Sequence, residues 1–173
     1  VINQVQREVT ALWAKQRDRV LILDESADAK AGLVSAGSGR QHNGRLGKED
    51  VCQGGGFLTL AGGGLWTWID GELFVPEAWF TPAALPRRQR SGLPTSRTFQ
   101  TKVLLGWQMI ERARAAGVAF DWFACDDLYG RANWFRAKLA AAAIVYVADV
   151  PSTTRVYLHR PVWGVPTPKK RTK

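Results

Sequence analysis

The stretch Phe120-Asp121-Trp122-Phe123-Ala124-Cys125-Asp126-Asp127-Leu128-Tyr129-Gly130-Arg131 decides how the rest of the chain is read. Trp122 to Cys125 is a short run of apolar or small residues, the pattern of a strand covered on both faces. Two carboxylates follow, and Tyr129-Gly130 then breaks the strand. Beyond it, Asn133-Trp134-Phe135-Arg136-Ala137-Lys138-Leu139-Ala140 reads as a helix with Asn133 as its N-cap. In an open sheet with helices packed on it, ligands collect at the carboxyl ends of the strands. An acid placed there faces a site.

Arg19-Val20-Leu21-Ile22-Leu23-Asp24-Glu25-Ser26 has the same design, an apolar run ending in two acids. Two such strands in one sheet can set Asp24 and Asp126 side by side. Like charges that close repel unless a cation lies between them. Mg²⁺ takes oxygen ligands, commonly one or two carboxylates completed by water and phosphate. Asp also favours turns and helix caps, so either acid pair taken alone is open to both readings.

The chain has 173 residues, enough for one domain with its own core. Hydrophobic residues make up 46% and eight are Trp, which places it among globular rather than disordered chains. Its net charge is +9, and the excess is clustered at Arg87, Arg88 and Arg90 and again in the last five residues. Such clustering points to a polyanionic partner, with nucleic acid the usual one, against a merely solubilising charge. No run approaches 18 apolar residues and no signal peptide is visible, so no membrane role is expected. Cys52 and Cys125 lack CxxC spacing and read as reduced residues of a cytoplasmic protein. Cys125 is a poor candidate nucleophile because no nearby His would activate it.

In chain order, residues 3–16 fit a helix, with Val5, Val9, Leu12 and Trp13 at helical spacing. The first strand is Val20 to Asp24. Residues 25–50 read as loop, with Lys30, Arg40, Arg45 and Lys48 between glycines. This is a DNA-facing loop or an ordinary flexible connection. Gly47-Lys48 is not a P-loop, since Glu49 follows the lysine and His42 stands where the first glycine belongs. Residues 51–60 and 65–75 form a hairpin around the glycines 62–64. Trp66, Trp68, Leu73 and Val75 supply its bulk. A Pro- and Arg-rich connection follows, whose arginines are phosphate contacts or solvated groups. A long helix then spans residues 99–117, with Phe99, Val103, Trp107, Ile110 and Ala113 on one face. Ile144 to Asp149 is the fifth strand, and residues 156–161 are a candidate sixth before a basic tail. The domain reading is a helix over 1–17 that ends a larger upstream region, a core over 18–150, and the start of an insertion or tail over 151–173.

Strand, hairpin, helix, strand, helix, strand, with acids after the first and fourth strands, is the RNase H-like order. The expected fold is α/β: an integrase-type, mixed five-stranded sheet with flanking helices, truncated at its C-terminus. The sequence also resembles the insertion-sequence transposases of the DDE superfamily. The pieces that carry this are Leu21-Ile22-Leu23-Asp24-Glu25-Ser26 with Lys30, Arg40-Gln41 with Gly44, Leu46-Gly47-Lys48 and Cys52-Gln53. Further on they are Asp70-Gly71-Glu72-Leu73-Phe74-Val75-Pro76-Glu77-Ala78-Trp79, Gly92-Leu93-Pro94, Phe99-Gln100-Thr101-Lys102, Ala116-Gly117, Trp122 through Gly130, and Tyr146-Val147.

The resemblance implies Asp24 as the first catalytic acid and Asp126 as the second. It implies Mg²⁺ or Mn²⁺ as cofactor, and a site that hydrolyses phosphodiesters and transfers strands. Double-stranded DNA, as transposon ends and target, would be the partner, with Lys30, Arg40, Lys48, Lys102 and Arg131 as its contacts. A homodimer is the candidate assembly of the full-length protein, and its place would be the bacterial cytoplasm at the nucleoid. The family's third acid is a Glu on a later helix. This chain has no Glu after Glu111, and Asp149 is its only acid after Asp127. The expectation is a fragment with little or no activity. Another RNase H-like nuclease, or a non-catalytic DNA-binding remnant, are the alternatives.

Overall fold

In the computed structural model, residues 1–162 and 164 are described. The elements are α1 (Ile2–Leu12), β1 (Val20–Ala29), β2 (Gly39–Asn43), β3 (Lys48–Gly62), β4 (Leu65–Leu73), α2 (Leu85–Arg90), α3 (Lys102–Ala115), β5 (Trp122–Cys125), α4 (Asp127–Gly130), α5 (Asn133–Ala141) and β6 (Tyr146–Ala148). Two 3-10 turns, Glu77–Phe80 and Pro82–Ala84, precede α2.

The strands form one mixed sheet of six, ordered β2-β3-β1-β5-β6, with β4 also paired to β3. β3 runs antiparallel to β1, whereas β5 is parallel to β1 and β6 parallel to β5. The parallel strands are joined through α3 and α5, because a parallel neighbour needs a long crossover. Leaving β2 aside, the order β4-β3-β1-β5-β6 is the RNase H-like sheet that the sequence predicts. Cys52 pairs with Ala29 on one side and Gly39 on the other, so β2 lies on the far edge of β3 from β1. β4 follows along that same edge. The β3–β4 hairpin closes through Gly63 and Gly64, both at positive φ (59° and 80°). A two-residue turn of that hand matches the twist of the strands.

Several expectations need correction. Residues 25–50 are not a loop, since β1 runs on to Ala29 and β2 and the start of β3 lie within them. Glu25 to Ala29 are poor strand formers, drawn into the ladder by pairing with Gly56 through Cys52. Residues 156–161 form no strand, and Val156, Tyr157 and Leu158 are exposed. Asn133 is the first residue of α5, not its cap, and Ala132 holds the cap position. α3 begins at Lys102, capped by the Thr101 hydroxyl, which accepts from the Leu104 amide at 3.2 Å; Phe99 precedes it.

One face of the sheet is covered. Leu21 and Leu23 of β1, Leu58 and Leu60 of β3 and Phe123 of β5 pack there with Val9 and Trp13, with Met109, Ile110 and Ala113 of α3, and with Phe135 and Leu139 of α5. The other face is open. Trp122 is 45% exposed, so β5 is not covered on both sides. Trp66 and Trp68 stand on the same open face and add nothing to the core.

Close approach of α3 to the sheet explains a glycine in mid-helix. A Cβ on Gly106 would lie 2.6 Å from Leu23 Cδ2 and 2.9 Å from Tyr129 Cε1. Gly106→Ala gains about 1 kcal/mol of helix propensity, but overpacking a tight contact costs about 1–3 kcal/mol. The expected result is a lower denaturant midpoint. An unchanged or higher midpoint would show that α3 can move off the sheet without cost.

Candidate active site

Leu23 pairs with Cys125 in the parallel β1–β5 ladder. The next residue on each is an aspartate, Asp24 midway along β1 and Asp126 just past the end of β5, so the two come together where β5 ends. Side chains alternate across a strand. Leu21, Leu23, Phe123 and Cys125 face the core, which turns Asp24 and Asp126 toward the open side. Both line one cleft of ≈ 590 Å³, with Glu25, His42, Gly44, Arg45, Lys102, Asp127, Leu128 and Arg131.

Local bonds hold the two carboxylates. Asp24 Oδ1 accepts from the Glu25 amide at 2.7 Å. Asp126 caps the single turn of α4, its Oδ1 accepting from the Leu128 amide at 3.1 Å. Partial burial pushes the Asp126 carboxyl above its ordinary range, and the charges of Asp24 and Glu25 push the same way. The amides of Tyr129 and Leu128 oppose this. Cys125, just behind, has its thiol pushed up to about 12 by burial and by Asp126 and Asp149, which rules out a thiolate nucleophile at neutral pH.

Each expected cation has a place. Lys102 lines the cleft and sits 2.5 Å from Glu25 Oε2. Arg131 lines it too, paired with Asp127 one helical turn back. Lys30, Arg40 and Lys48 do not line it. Lys30 lies in a neighbouring hollow with Arg45. Arg40 and Lys48 sit on the β2–β3 hairpin, exposed and paired with Glu49 at 3.8 Å and Asp50 at 3.5 Å. The arginines before α3 are partly structural. Arg87 stacks on Trp79 at 3.9 Å, and Arg88 donates to the carbonyls of Pro94 and Arg97.

The model of one sequence family, described as DDE superfamily endonuclease, matches residues 1–173. The chain belongs to the DDE superfamily endonucleases. No curated protein and no solved structure matches it.

Endonucleases of this superfamily act on DNA with divalent metal ions. Two carboxylates on one face, with the half-buried Asp126 disfavoured as an anion, form an oxygen donor set that suits Mg²⁺ completed by water and phosphate. Among the described residues, no three His, Cys, Asp or Glu side chains form a group that could hold a metal by themselves. In this DDE endonuclease the cleft also holds Arg45, which the sequence places among the cations of a DNA-facing loop but not among the expected DNA contacts. Arg45 lies between β2 and β3 and binds Asp28 Oδ1 at 2.5 Å. Only the pairing of β2 with β3, hidden in a stretch read as loop, carries it to Asp24. No helix among the described residues is long and apolar enough to cross a membrane.

Proposed function

We propose that this chain, with residues 18–150 as its catalytic core, is the part of a transposase that positions DNA phosphodiesters for hydrolysis and strand transfer. The observation that carries the reading is the placement of Asp24 and Asp126 on one face of adjacent parallel strands, where β5 ends, lining one cleft. These two residues would hold Mg²⁺ or Mn²⁺. The chemistry such an ion supplies is Lewis-acid polarisation of a phosphodiester and activation of water or a DNA 3′-hydroxyl.

The chain's own residues do the rest. Lys102, Arg131 and Arg45 stand around the two acids and attract phosphate oxygens. The open sheet face lets a duplex approach. The net charge of +9 raises the encounter rate with DNA of any sequence. Lys30, Arg40 and Lys48 lie beyond the cleft and would meet the duplex to either side of the scissile phosphate.

With two metal-holding acids, Asp24 and Asp126, placed in the cleft, the reading is binding without cutting. Labelled duplexes titrated at several salt concentrations test the first half. Log affinity is expected to fall with log salt by about 0.9 per phosphate contacted, equally for a transposon end and for random DNA. A nicking assay with Mg²⁺ and with Mn²⁺ tests the second half and is expected to show no specific product. A flat salt response would remove DNA from the function. Metal-dependent nicking lost in Asp126→Ala would show the two acids to be sufficient.

A further inference from the structure

Glu25 follows Asp24 on β1, so its side chain leaves the strand on the helix side and reaches the cleft from there. There it meets Lys102 Nζ at 2.5 Å, and both side chains are only 21% exposed. The contact is an ion pair without hydrogen-bond geometry, and Glu25 Oε2 has no hydrogen-bond donor. The Tyr129 hydroxyl, on a side chain that is 0% exposed, has no partner either.

The Glu25 carboxylate lies near enough for its charge to act on the Tyr129 phenol. Glu25 pairs with Gly56 across the β1–β3 ladder. Antiparallel partners carry their Cβ atoms on one face, about 4.5–5.5 Å apart. A Cβ on Gly56 would lie 3.4 Å from the Tyr129 hydroxyl. The hydroxyl therefore stands, beside the Met109 methyl at 3.2 Å from the same Cβ, against the place that a side chain opposite Glu25 would take. Burial and then the Glu25 charge push the phenol far up, so it is present as a donor. A buried hydroxyl with nothing to bond carries a desolvation cost that phenylalanine would not.

We propose that Tyr129 is a positioning residue that takes over the Glu25 carboxylate when Lys102 swings from Glu25 to a DNA phosphate in the cleft that both line. Moving Lys102 away would otherwise leave a buried carboxylate unpaired, and that penalty would be subtracted from the DNA affinity. With the exchange, the hydroxyl donates to Glu25, and both oxygens that lack hydrogen bonds in the free chain gain one. Gly56 keeps the space open, and the fixed ring keeps the hydroxyl in place. The exchange rests on the DNA-binding reading of the cleft.

The test is duplex binding over a range of salt for the full chain, Tyr129→Phe, Lys102→Met and the double variant, with thermal melts of each without DNA. Tyr129→Phe is expected to melt at the wild-type temperature or above, because it removes an unpartnered group. Its plot of log affinity against log salt should be shallower by about 0.9, the share of one phosphate contact. Lys102→Met should show the same loss, and the double variant no more. Glu25→Gln added to Tyr129→Phe should restore the wild-type slope, since a neutral amide no longer holds Lys102. A wild-type slope in Tyr129→Phe beside a shallower one in Lys102→Met overturns the exchange while leaving DNA binding intact. A lower melting temperature for Tyr129→Phe also overturns it, because the hydroxyl would then be bonded in the free chain. A wild-type chain that does not bind duplex removes the reading of the cleft and the exchange with it.

Discussion

Asp126→Asn should raise the melting temperature of the metal-free protein at neutral pH and weaken divalent-ion binding in the same step. Burial, with Asp24 and Glu25 behind it, lifts the Asp126 carboxyl above its ordinary range. As pH rises, the unfolded chain loses this proton first, so the folded state loses stability between the ordinary carboxylate pKa and the raised one. Above the raised value the penalty is complete. Asparagine removes it and still caps α4, since Asn and Asp are equally good at that position. Below the ordinary carboxylate range both side chains are neutral and the gain should vanish. Metal binding, followed by Mn²⁺ titration, should fall by roughly tenfold or more, given that losing even a group behind a metal ligand costs 10–100-fold. Melts across pH decide the first part: a variant less stable than wild type at pH 7 would mean that the carboxylate is not held against its preference.

The largest expected loss of stability lies away from the cleft. Asp70 has a fully buried side chain, and its Oδ2 accepts from Arg112 Nε of α3 at 2.8 Å. Its Oδ1 accepts from the Gly71 amide at 2.8 Å. Arg112 Nη2 also reaches Glu72 at 3.0 Å, and Arg97 holds Glu72 at 3.3 Å. Arg112→Met would leave a buried carboxylate without its cation, which costs about 3–5 kcal/mol in a fully buried pair. Arg112 is 39% exposed, so water can reach part of the gap and the lower end, about 3 kcal/mol, is expected. Adding Asp70→Asn to Arg112→Met should recover much of the loss, because the charge is then gone as well. A single variant within about 0.5 kcal/mol of wild type by chemical denaturation, the range of an ordinary surface change, would show that the pair is a surface one.

The aspartate exists for a reason that the strand pattern hides. The β3–β4 register shifts between Leu58, which pairs with Asp70, and Thr59, which pairs with Trp68. Ile69 is the extra residue. Such a bulge re-aims the side chains around it, so Ile69 and Asp70 are both buried although they are consecutive. Strict alternation would have put one of them on the open face.

The sequence by itself determined the elements whose signals are local. An apolar run, two acids and Tyr129-Gly130 are contiguous, and they mark β5 and its end without reference to any other part of the chain. Gly63-Gly64 between two apolar runs marks the hairpin for the same reason. The long crossovers after β4 and β5 allow parallel strands, and those strands set Asp24 beside Asp126 where β5 ends. Tertiary structure alone decided everything that depends on which strand edge meets which. It extended β1 to Ala29 and created β2, because pairing to β3 outweighs the weak propensity of Glu25 to Ala29. It turned Asp24 to the open sheet face and Glu25 toward Lys102, with all three lining the cleft. It brought Arg45 to the acids and left Lys30, Arg40 and Lys48 outside. No local pattern records these outcomes, because each is fixed by a hydrogen-bonded partner that lies many residues away in the chain.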